Sequence, residues 1–143
     1  MKRERLEEIL SKFASHRIVL FGDFFLDKYV ELDPALNEIS IETGKTAYQV
    51  VGRRPQPGAA GTVCNNLVAL GVRHLAALTV IGEDGEGYDL RQQLTKRGID
   101  IENVLVSPER FTPTYMKPML QNPGGEEELE RMDTKNRAAL PAH

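Results

Sequence analysis

The sequence predicts an α/β domain, in which helices flank a largely parallel sheet and a small β lid is added. Residues 18–21 form an apolar run typical of a buried strand. Helix and strand patterns then alternate between residues 62 and 106, as in units that place parallel strands side by side. Residues 28–57 instead carry short β-prone runs separated by turn residues. The chain of 143 residues is long enough for one domain with a core.

Composition excludes several classes of protein. The net charge of −3 argues against a dedicated nucleic-acid binder, which usually carries a basic face. Cys64 is the single cysteine, so an intrachain disulfide is impossible, and we expect Cys64 to be a small buried apolar residue. The charged, amphipathic start of the chain has no long apolar core, which predicts no membrane partner and a cytoplasmic location.

The first two elements are a helix and a strand. Residues 2–13 have apolar side chains at helical spacing, which predicts a helix that covers the domain. Residues 17–21 predict a strand buried on both faces. Asp23 and Asp27 follow it, where ligands of open α/β sheets bind, and ionised carboxylates are strong acceptors for sugar hydroxyls. In the alternative interpretation, Asp23 caps the turn and Asp27 is solvated.

The segment after Asp27 predicts a β insertion. Residues 29–32, 39–43 and 47–51 have strand patterns, and residues 52–57 are bounded by proline and extended. This insertion is either a flap over a site or a solvated pair of edge strands. Arg53 and Arg54 would be placed to meet a phosphate group on a substrate.

The central stretch begins with a loop of small residues at 58–61, where backbone can approach a ligand closely. It continues as a helix over 62–70, a strand over 74–81, a helix over 88–97 and a strand over 99–106. Gly71 and Gly98 end the two helices. We expect Asp84 to cap the second helix, and the glycines of the turn at 82–87 to supply positive φ angles.

Residues 112–132 predict a β-hairpin whose turn lies at residues 122–125. Pro118 restricts its first arm to an edge or bulged strand, because proline cannot donate a ladder hydrogen bond. From its position in that arm, Lys117 is a plain edge-strand lysine.

Three motifs together resemble the PfkB/ribokinase-like carbohydrate kinases. They are IVLFGDFFLDKY at residues 18–29, PGAAGTVCNNLVALG at 57–71 and the glycine-rich turn at 82–87. The first motif, which reads G-D-x-x-x-D after the strand, is similar to that of the sugar kinases of the ADP-heptose pathway. The resemblance implies that residues 1–143 are the N-terminal part of one ribokinase-like domain, with lid strands within residues 28–56 and 112–121.

The same resemblance implies an ATP-dependent carbohydrate kinase that acts on a sugar or sugar phosphate. It assigns substrate binding to six residues and suggests a homodimer formed through the lid strands. The six residues are Asp27, Gly58, Ala59, Thr62, Asp23 and Lys117. Two positions depart from the family: Pro57 stands where many members have a second glycine, and Thr62 stands where an asparagine usually contacts the sugar.

The family's catalytic G-A-G-D motif, which supplies the general base and an anion hole, does not occur in this sequence. The string Gly44-Lys45-Thr46 matches the end of a P-loop without its upstream glycine. We therefore expect a sugar-binding fragment that is inactive alone, with ATP and Mg²⁺ bound only by a complete enzyme. The alternative function is a non-catalytic sugar-binding module or a module that dimerises through the lid.

Overall fold

The computed structural model describes residues 2–140, which form helices, short 3₁₀ turns and ten strands. The helices are α1 (Arg3–Ser11), α2 (Ala60–Ala69) and α3 (Gly85–Lys96). The strands are β1 (Arg17–Phe21), β2 (Phe24–Leu32), β3 (Glu38–Ile39), β4 (Thr46–Ala47), β5 (Val50–Ala59), β6 (His74–Gly82), β7 (Asp100–Ser107), β8 (Thr114–Asn122), β9 (Gly125–Glu128) and β10 (Met132–Thr134).

The first sheet is parallel and has the strand order β1-β6-β7. Helices α2 and α3 pack against it and contribute the buried residues Cys64, Leu90 and Leu94 to the core. Cys64 is fully buried, and burial raises the pKa of its thiol to about 11, which confirms that it is a buried apolar residue. The parallel sheet and its helices confirm the predicted α/β class.

The opposite face of this sheet is open among the described residues. Val19 is 62% exposed and Phe21 is 79% exposed, while Ile18 and Leu20, which alternate with them along β1, are half-buried. Leu105 of β7 is also exposed on the sheet. The prediction that β1 is buried on both faces is therefore wrong, because no part of residues 2–140 shields the second face.

The second sheet is mixed and has the strand order β10-β8-β2-β5, with β9 also paired to β8. We call it the lid sheet. Strand β2 lies inside it, antiparallel to β5 and parallel to β8. Pro118 therefore lies in an interior strand, and the edge-strand prediction is wrong. Proline is tolerated there because the outer partner of β8 changes at this point from β10, which pairs with residues 114–116, to β9, which pairs with residues 119–122.

The lid insertion differs from its prediction in extent. The strand predicted at 39–43 shrinks to β3, which pairs with the two-residue strand β4 as a hairpin. The strand predicted at 47–51 is divided between β4 and the start of β5. The extended segment at 52–57 is instead part of the long strand β5. Gly44 adopts a φ of 66° in the β3–β4 turn, so Gly44-Lys45-Thr46 lies in a hairpin and not in the strand–loop–helix context of a P-loop.

Helix α1 confirms the predicted amphipathic helix but not its packing. It buries none of its residues, and Leu6 and Leu10 are exposed. Its role as a covering helix is therefore not met within residues 2–140. No helix in the described part of the chain is both long enough and apolar enough to span a membrane.

The predicted loop at 58–61 does not exist as a loop. Gly58 and Ala59 end strand β5, and α2 begins directly at Ala60. The reversal occurs at Ala59, which has a φ of 49°, a conformation that favours glycine. Pro57 is buried in extended β5, so the position with the greatest need for glycine is Ala59 and not Pro57.

Replacement of Ala59 by glycine is expected to stabilise the protein. The strained φ of alanine destabilises the folded state by about 1–3 kcal/mol. Glycine relieves this strain but loses more chain entropy on folding, which offsets about 0.5–1 kcal/mol of the gain. We expect the melting temperature to rise by about 3 °C for a net gain of about 1 kcal/mol. Ala60→Gly, one residue into α2, is the control and should lower the melting temperature. A lower melting temperature for Ala59→Gly would show that this backbone conformation carries no strain.

Candidate functional site

Asp27 lies in the middle of β2 and not at the end of β1, where the sequence placed it. Its Oδ1 atom lies 2.8 Å from Nζ of Lys117 on β8, and the two side chains are 23% and 16% exposed. Burial of Lys117 disfavours its charge, but the hydrogen bonds and charges of Asp27 and Tyr29 outweigh burial and raise its pKa. The two candidates Asp27 and Lys117 thus form one ion pair on the outer face of the lid sheet.

Gly58 lies close to Oδ2, the second carboxylate oxygen of Asp27. A Cβ atom at Gly58 would lie 2.5 Å from Oδ2 of Asp27, which is closer than real contacts allow. From the sequence, Gly58 is expected to let the backbone approach a ligand closely. In the structure, its missing side chain makes room for the carboxylate of Asp27.

The other three candidates lie at the start of α2 and in the turn before β2. Ala59 pairs with Phe24 in the β2–β5 ladder, and the carbonyl of the exposed Asp23 accepts a hydrogen bond from the backbone of Ala60 at 3.1 Å. Thr62 is exposed, and its Oγ1 donates to the carbonyl of Pro57 at 3.4 Å. The candidates therefore form two groups: Asp27, Gly58 and Lys117 in contact, and Asp23, Ala59 and Thr62 beside the turn into α2.

Tyr29 and Arg54 lie beside the ion pair, and the sequence did not single out Tyr29 as a site residue. Nζ of Lys117 donates a hydrogen bond to the hydroxyl of Tyr29 at 3.2 Å and lies 4.7 Å from the centroid of its ring. Arg54 of β5 also lies over the ring of Tyr29, at 5.3 Å. The alternation of Asp27, Tyr29 and Glu31 along β2 is the signal that could have placed all three side chains on one face.

Arg54 is engaged within the protein, contrary to the hypothesis that it meets a substrate phosphate. Its Nε lies 2.7 Å from Glu31, and its Nη2 lies 2.7 Å from Glu126 of β9. The hydrogen bond to Glu126 is the main cause of a raised pKa for Arg54. Its neighbour Arg53 is exposed on β5. Arg54 of β5 thus forms ion pairs with β2, through Glu31, and with β9, through Glu126.

The glycine-rich turn at 82–87 connects β6 to α3 and contacts the segment before β8. Asp84 caps α3 as predicted, because its Oδ1 accepts a hydrogen bond from the backbone N–H of Gly87 at 2.7 Å. Its Oδ2 accepts from the backbone N–H of the buried Thr112 at 2.8 Å. The prediction that the glycines of this turn have positive φ angles is wrong. Gly82 and Gly87 are needed for space, since a Cβ at Gly82 would lie 2.5 Å from the carbonyl oxygen of Arg110 and one at Gly87 would lie 2.5 Å from the carbonyl oxygen of Gly82.

A second contact joins α3 to the lid sheet. Nζ of Lys28 lies 2.7 Å from Oε1 of Glu86 in the first turn of α3, and the two side chains are partly buried. Successive side chains of a strand point to opposite faces. Strand β2 therefore presents Asp27 to the outer face and anchors its inner face to α3 through Lys28.

The acidic side chains of the described residues are not clustered in the way that a Mg²⁺ site requires. In residues 2–140, no three His, Cys, Asp or Glu side chains are grouped so that they could hold a metal ion. The sequence also lacks the G-A-G-D motif.

Comparison with known proteins identifies relatives over nearly the whole chain. The bifunctional protein HldE of Geotalea uraniireducens is 32% identical over 137 residues, which are 96% of this chain and 26% of that protein. The chain spans about a quarter of the length of the curated relatives it matches, with 26% and 28% covered in the first two. No protein-family model matches the chain.

Solved structures establish the fold. A carbohydrate kinase from Agrobacterium tumefaciens superposes with a TM-score of 0.59 and 17% identity, covering 82% of this chain and 35% of that one. A ribokinase from Cryptococcus neoformans, solved in complex with ADP, has a TM-score of 0.50 and 16% identity and covers 82% of this chain and 34% of that one. The match spans about a third of each solved chain.

Proposed function

Since the chain has the ribokinase/PfkB-like carbohydrate kinase fold and is homologous to the HldE proteins, we propose that it forms the sugar-binding N-terminal portion of an ATP-dependent carbohydrate kinase. Its substrate is a sugar or sugar phosphate, which receives a phosphoryl group on a hydroxyl. The chain supplies the sugar-binding wall and the lid. The complete enzyme supplies the site for ATP and Mg²⁺ and the catalytic base, so this chain alone is inactive.

The observation that carries this proposal is the placement of Asp27. Its carboxylate is held between the ammonium of Lys117 and the backbone of Gly58 on the lid sheet. An ionised carboxylate keeps free lone pairs in this arrangement and can accept hydrogen bonds from two sugar hydroxyls. Lys117 adds a donor for a ring or hydroxyl oxygen. The backbone at Gly58 and Ala59, together with Thr62 and Asp23, forms the rest of the sugar wall at the start of α2.

Isothermal titration of the chain with a panel of free sugars and their phosphate esters tests the proposal. We expect saturable binding of at least one sugar, and no phosphoryl transfer when ATP and Mg²⁺ are added. A chain that binds none of the sugars is not a sugar-binding wall. Phosphoryl transfer by this chain alone would show that the catalytic groups lie within it. The proposal places the protein in the cytoplasm, with no nucleic acid or membrane as a partner.

The lid also supports a proposal about assembly: two copies of the chain associate through it. Exposed apolar side chains follow one another along residues 36–51, and β5 is the outer strand of the lid sheet in the described part of the chain. An exposed strand edge with apolar neighbours is a template for pairing with a second chain. The exposed apolar residues are Leu36, Ile39, Ile41, Tyr48, Val50 and Val51.

Light scattering of charged variants tests this assembly. Ile39→Lys and Ile41→Lys are each expected to turn a dimer into a monomer, because a lysine buried in an apolar interface loses its hydration. Val63→Lys, at an exposed apolar position of α2, is the control and should leave the dimer intact. A wild-type protein that is monomeric at all concentrations would contradict the proposal.

A further inference from the structure

The structure assigns a role to Tyr29, a residue outside the six candidates: we propose that Tyr29 is a positioning residue for Asp27 and acts through Lys117. The inference rests on the proposed function only in that Asp27 is taken as the sugar ligand. Tyr29 itself is not expected to touch the sugar.

The contact between Tyr29 and Lys117 has two parts. The hydroxyl accepts a hydrogen bond from Nζ of Lys117 at 3.2 Å, and the ring centroid lies 4.7 Å from the same nitrogen. A lysine ammonium has three donors on a flexible stem, so one partner alone does not fix it. Tyr29 and Asp27 together occupy two of the three donors, and the Lys117 ammonium is thereby held on Oδ1 of Asp27 at 2.8 Å.

Tyr29 is in turn held from the neighbouring strand. The guanidinium of Arg54 lies over its ring at 5.3 Å, and Arg54 is fixed by Glu31 and Glu126. Gly52 lies directly opposite Glu31 in the β2–β5 ladder, where a Cβ would overlap the Oε2 atom of Glu31. The absence of a side chain at Gly52 thus makes room for Glu31, just as Gly58 makes room for Asp27.

The titratable groups that act on Lys117 are Asp27 and Tyr29. Asp27 and Tyr29 approach it from β2, and Arg54 of β5 reaches the same tyrosine ring. Removal of the Tyr29 hydroxyl leaves the strands and the ring in place and frees one donor of Lys117. The ammonium can then leave Asp27 for water, and the carboxylate loses its fixed orientation. This consequence distinguishes a positioning role from a contribution to packing.

The chain offers a matched control in Tyr115 of β8. Tyr115 is half-buried like Tyr29, and two cations also lie over its ring, Arg131 at 4.5 Å and Lys135 at 5.1 Å. It makes an edge contact with Phe25 at 5.2 Å between ring centroids. Tyr29→Phe and Tyr115→Phe are therefore the same chemical change in similar surroundings, and only the first removes a hydrogen bond from Lys117.

The experiment is an NMR titration of the lysine side chains in the wild type and both variants, with the Lys117 signal assigned from Lys117→Arg. We expect Tyr29→Phe to lower the pKa of Lys117, since a hydrogen bond to the charged form is lost, and Tyr115→Phe to leave it unchanged. An unchanged pKa of Lys117 in Tyr29→Phe overturns the inference, as does an equal fall in both variants.

Sugar titration of the same proteins supplies the second measurement. Loss of one hydrogen bond should weaken binding of any sugar that the wild type binds by about threefold to tenfold in Tyr29→Phe. Tyr115→Phe should bind it as the wild type does. Equal weakening in both variants counts against a specific role of Tyr29. If the wild type binds no sugar, the proposed function fails, while the lysine titration still decides whether Tyr29 holds Lys117.

Discussion

Asp27→Asn is expected to weaken sugar binding by about tenfold to hundredfold, the largest functional effect we predict. Hydrogen bonds to a charged acceptor contribute about 1.5–3 kcal/mol, and an amide presents one acceptor oxygen where the carboxylate presents two. The change also leaves the ammonium of Lys117 without its counter-charge at 2.8 Å. Isothermal titration measures the loss directly.

Asp33→Asn is the control for that experiment. Asp33 directly follows the same strand and accepts a hydrogen bond from the backbone N–H of Ala35 at 2.9 Å, a capping role that asparagine fulfils equally well. We expect its sugar affinity to equal that of the wild type. Unchanged affinity in Asp27→Asn would remove Asp27 from the sugar wall and with it the observation on which the proposed function depends.

Gly87→Ala is expected to destabilise the fold by about 3 kcal/mol, at the upper end of the usual cost of overpacking. Its added Cβ would lie 2.5 Å from the backbone carbonyl oxygen of Gly82 and 2.9 Å from Oγ1 of the buried Thr112. Backbone atoms cannot move aside as the end of a side chain can. Either α3 shifts away from β6, or the hydrogen bond from the Gly82 N–H to Thr112 is broken.

Gly85→Ala provides the opposite result in the same helix. An added Cβ at Gly85 meets no atom within 4 Å, so alanine brings only its higher helix propensity, about 1 kcal/mol. Urea unfolding should show a lower midpoint for Gly87→Ala and an equal or higher one for Gly85→Ala. Equal midpoints for the two variants would mean that the joint between α3 and β6 is looser than these distances imply.

The alternating helices and strands were predictable because each carries its own local signal. The apolar periods of α2, β6, α3 and β7 and the stops at Gly71 and Gly98 place these elements within one to three residues. Both glycines have the positive φ angles expected after a helix. The lid was harder, because the position of β2 between β5 and β8 depends on pairing with distant segments. Pairing across the sequence leaves no local pattern by which an edge strand differs from an interior one.

The sequence suggested the candidate residues one by one but not how they are arranged. The sequence named Asp27, Gly58 and Lys117 separately, and the structure shows that they are in contact. That contact follows from the register of β2 with β5 and β8, which the sequence does not reveal. Tyr29 was not identified from the sequence because a tyrosine in a strand has no distinctive pattern of its own. Its place in the candidate site depends on Arg54 and Lys117, the cations that neighbouring strands place over its ring.

The parallel pairing of β2 with β8 has a consequence for the order of folding. The two strands join residues 88 positions apart in the chain, as in the contact of Tyr29 with Lys117. Closing so long a loop costs entropy before any contact repays it, and such topologies fold slowly. During synthesis, β2 and β5 can pair early. The other edge of β2 stays unpaired until residue 120, the last residue of β8 that pairs with it, has emerged from the ribosome. The pair of Asp27 and Lys117 therefore forms late, when β8, the last partner of β2, has been synthesised.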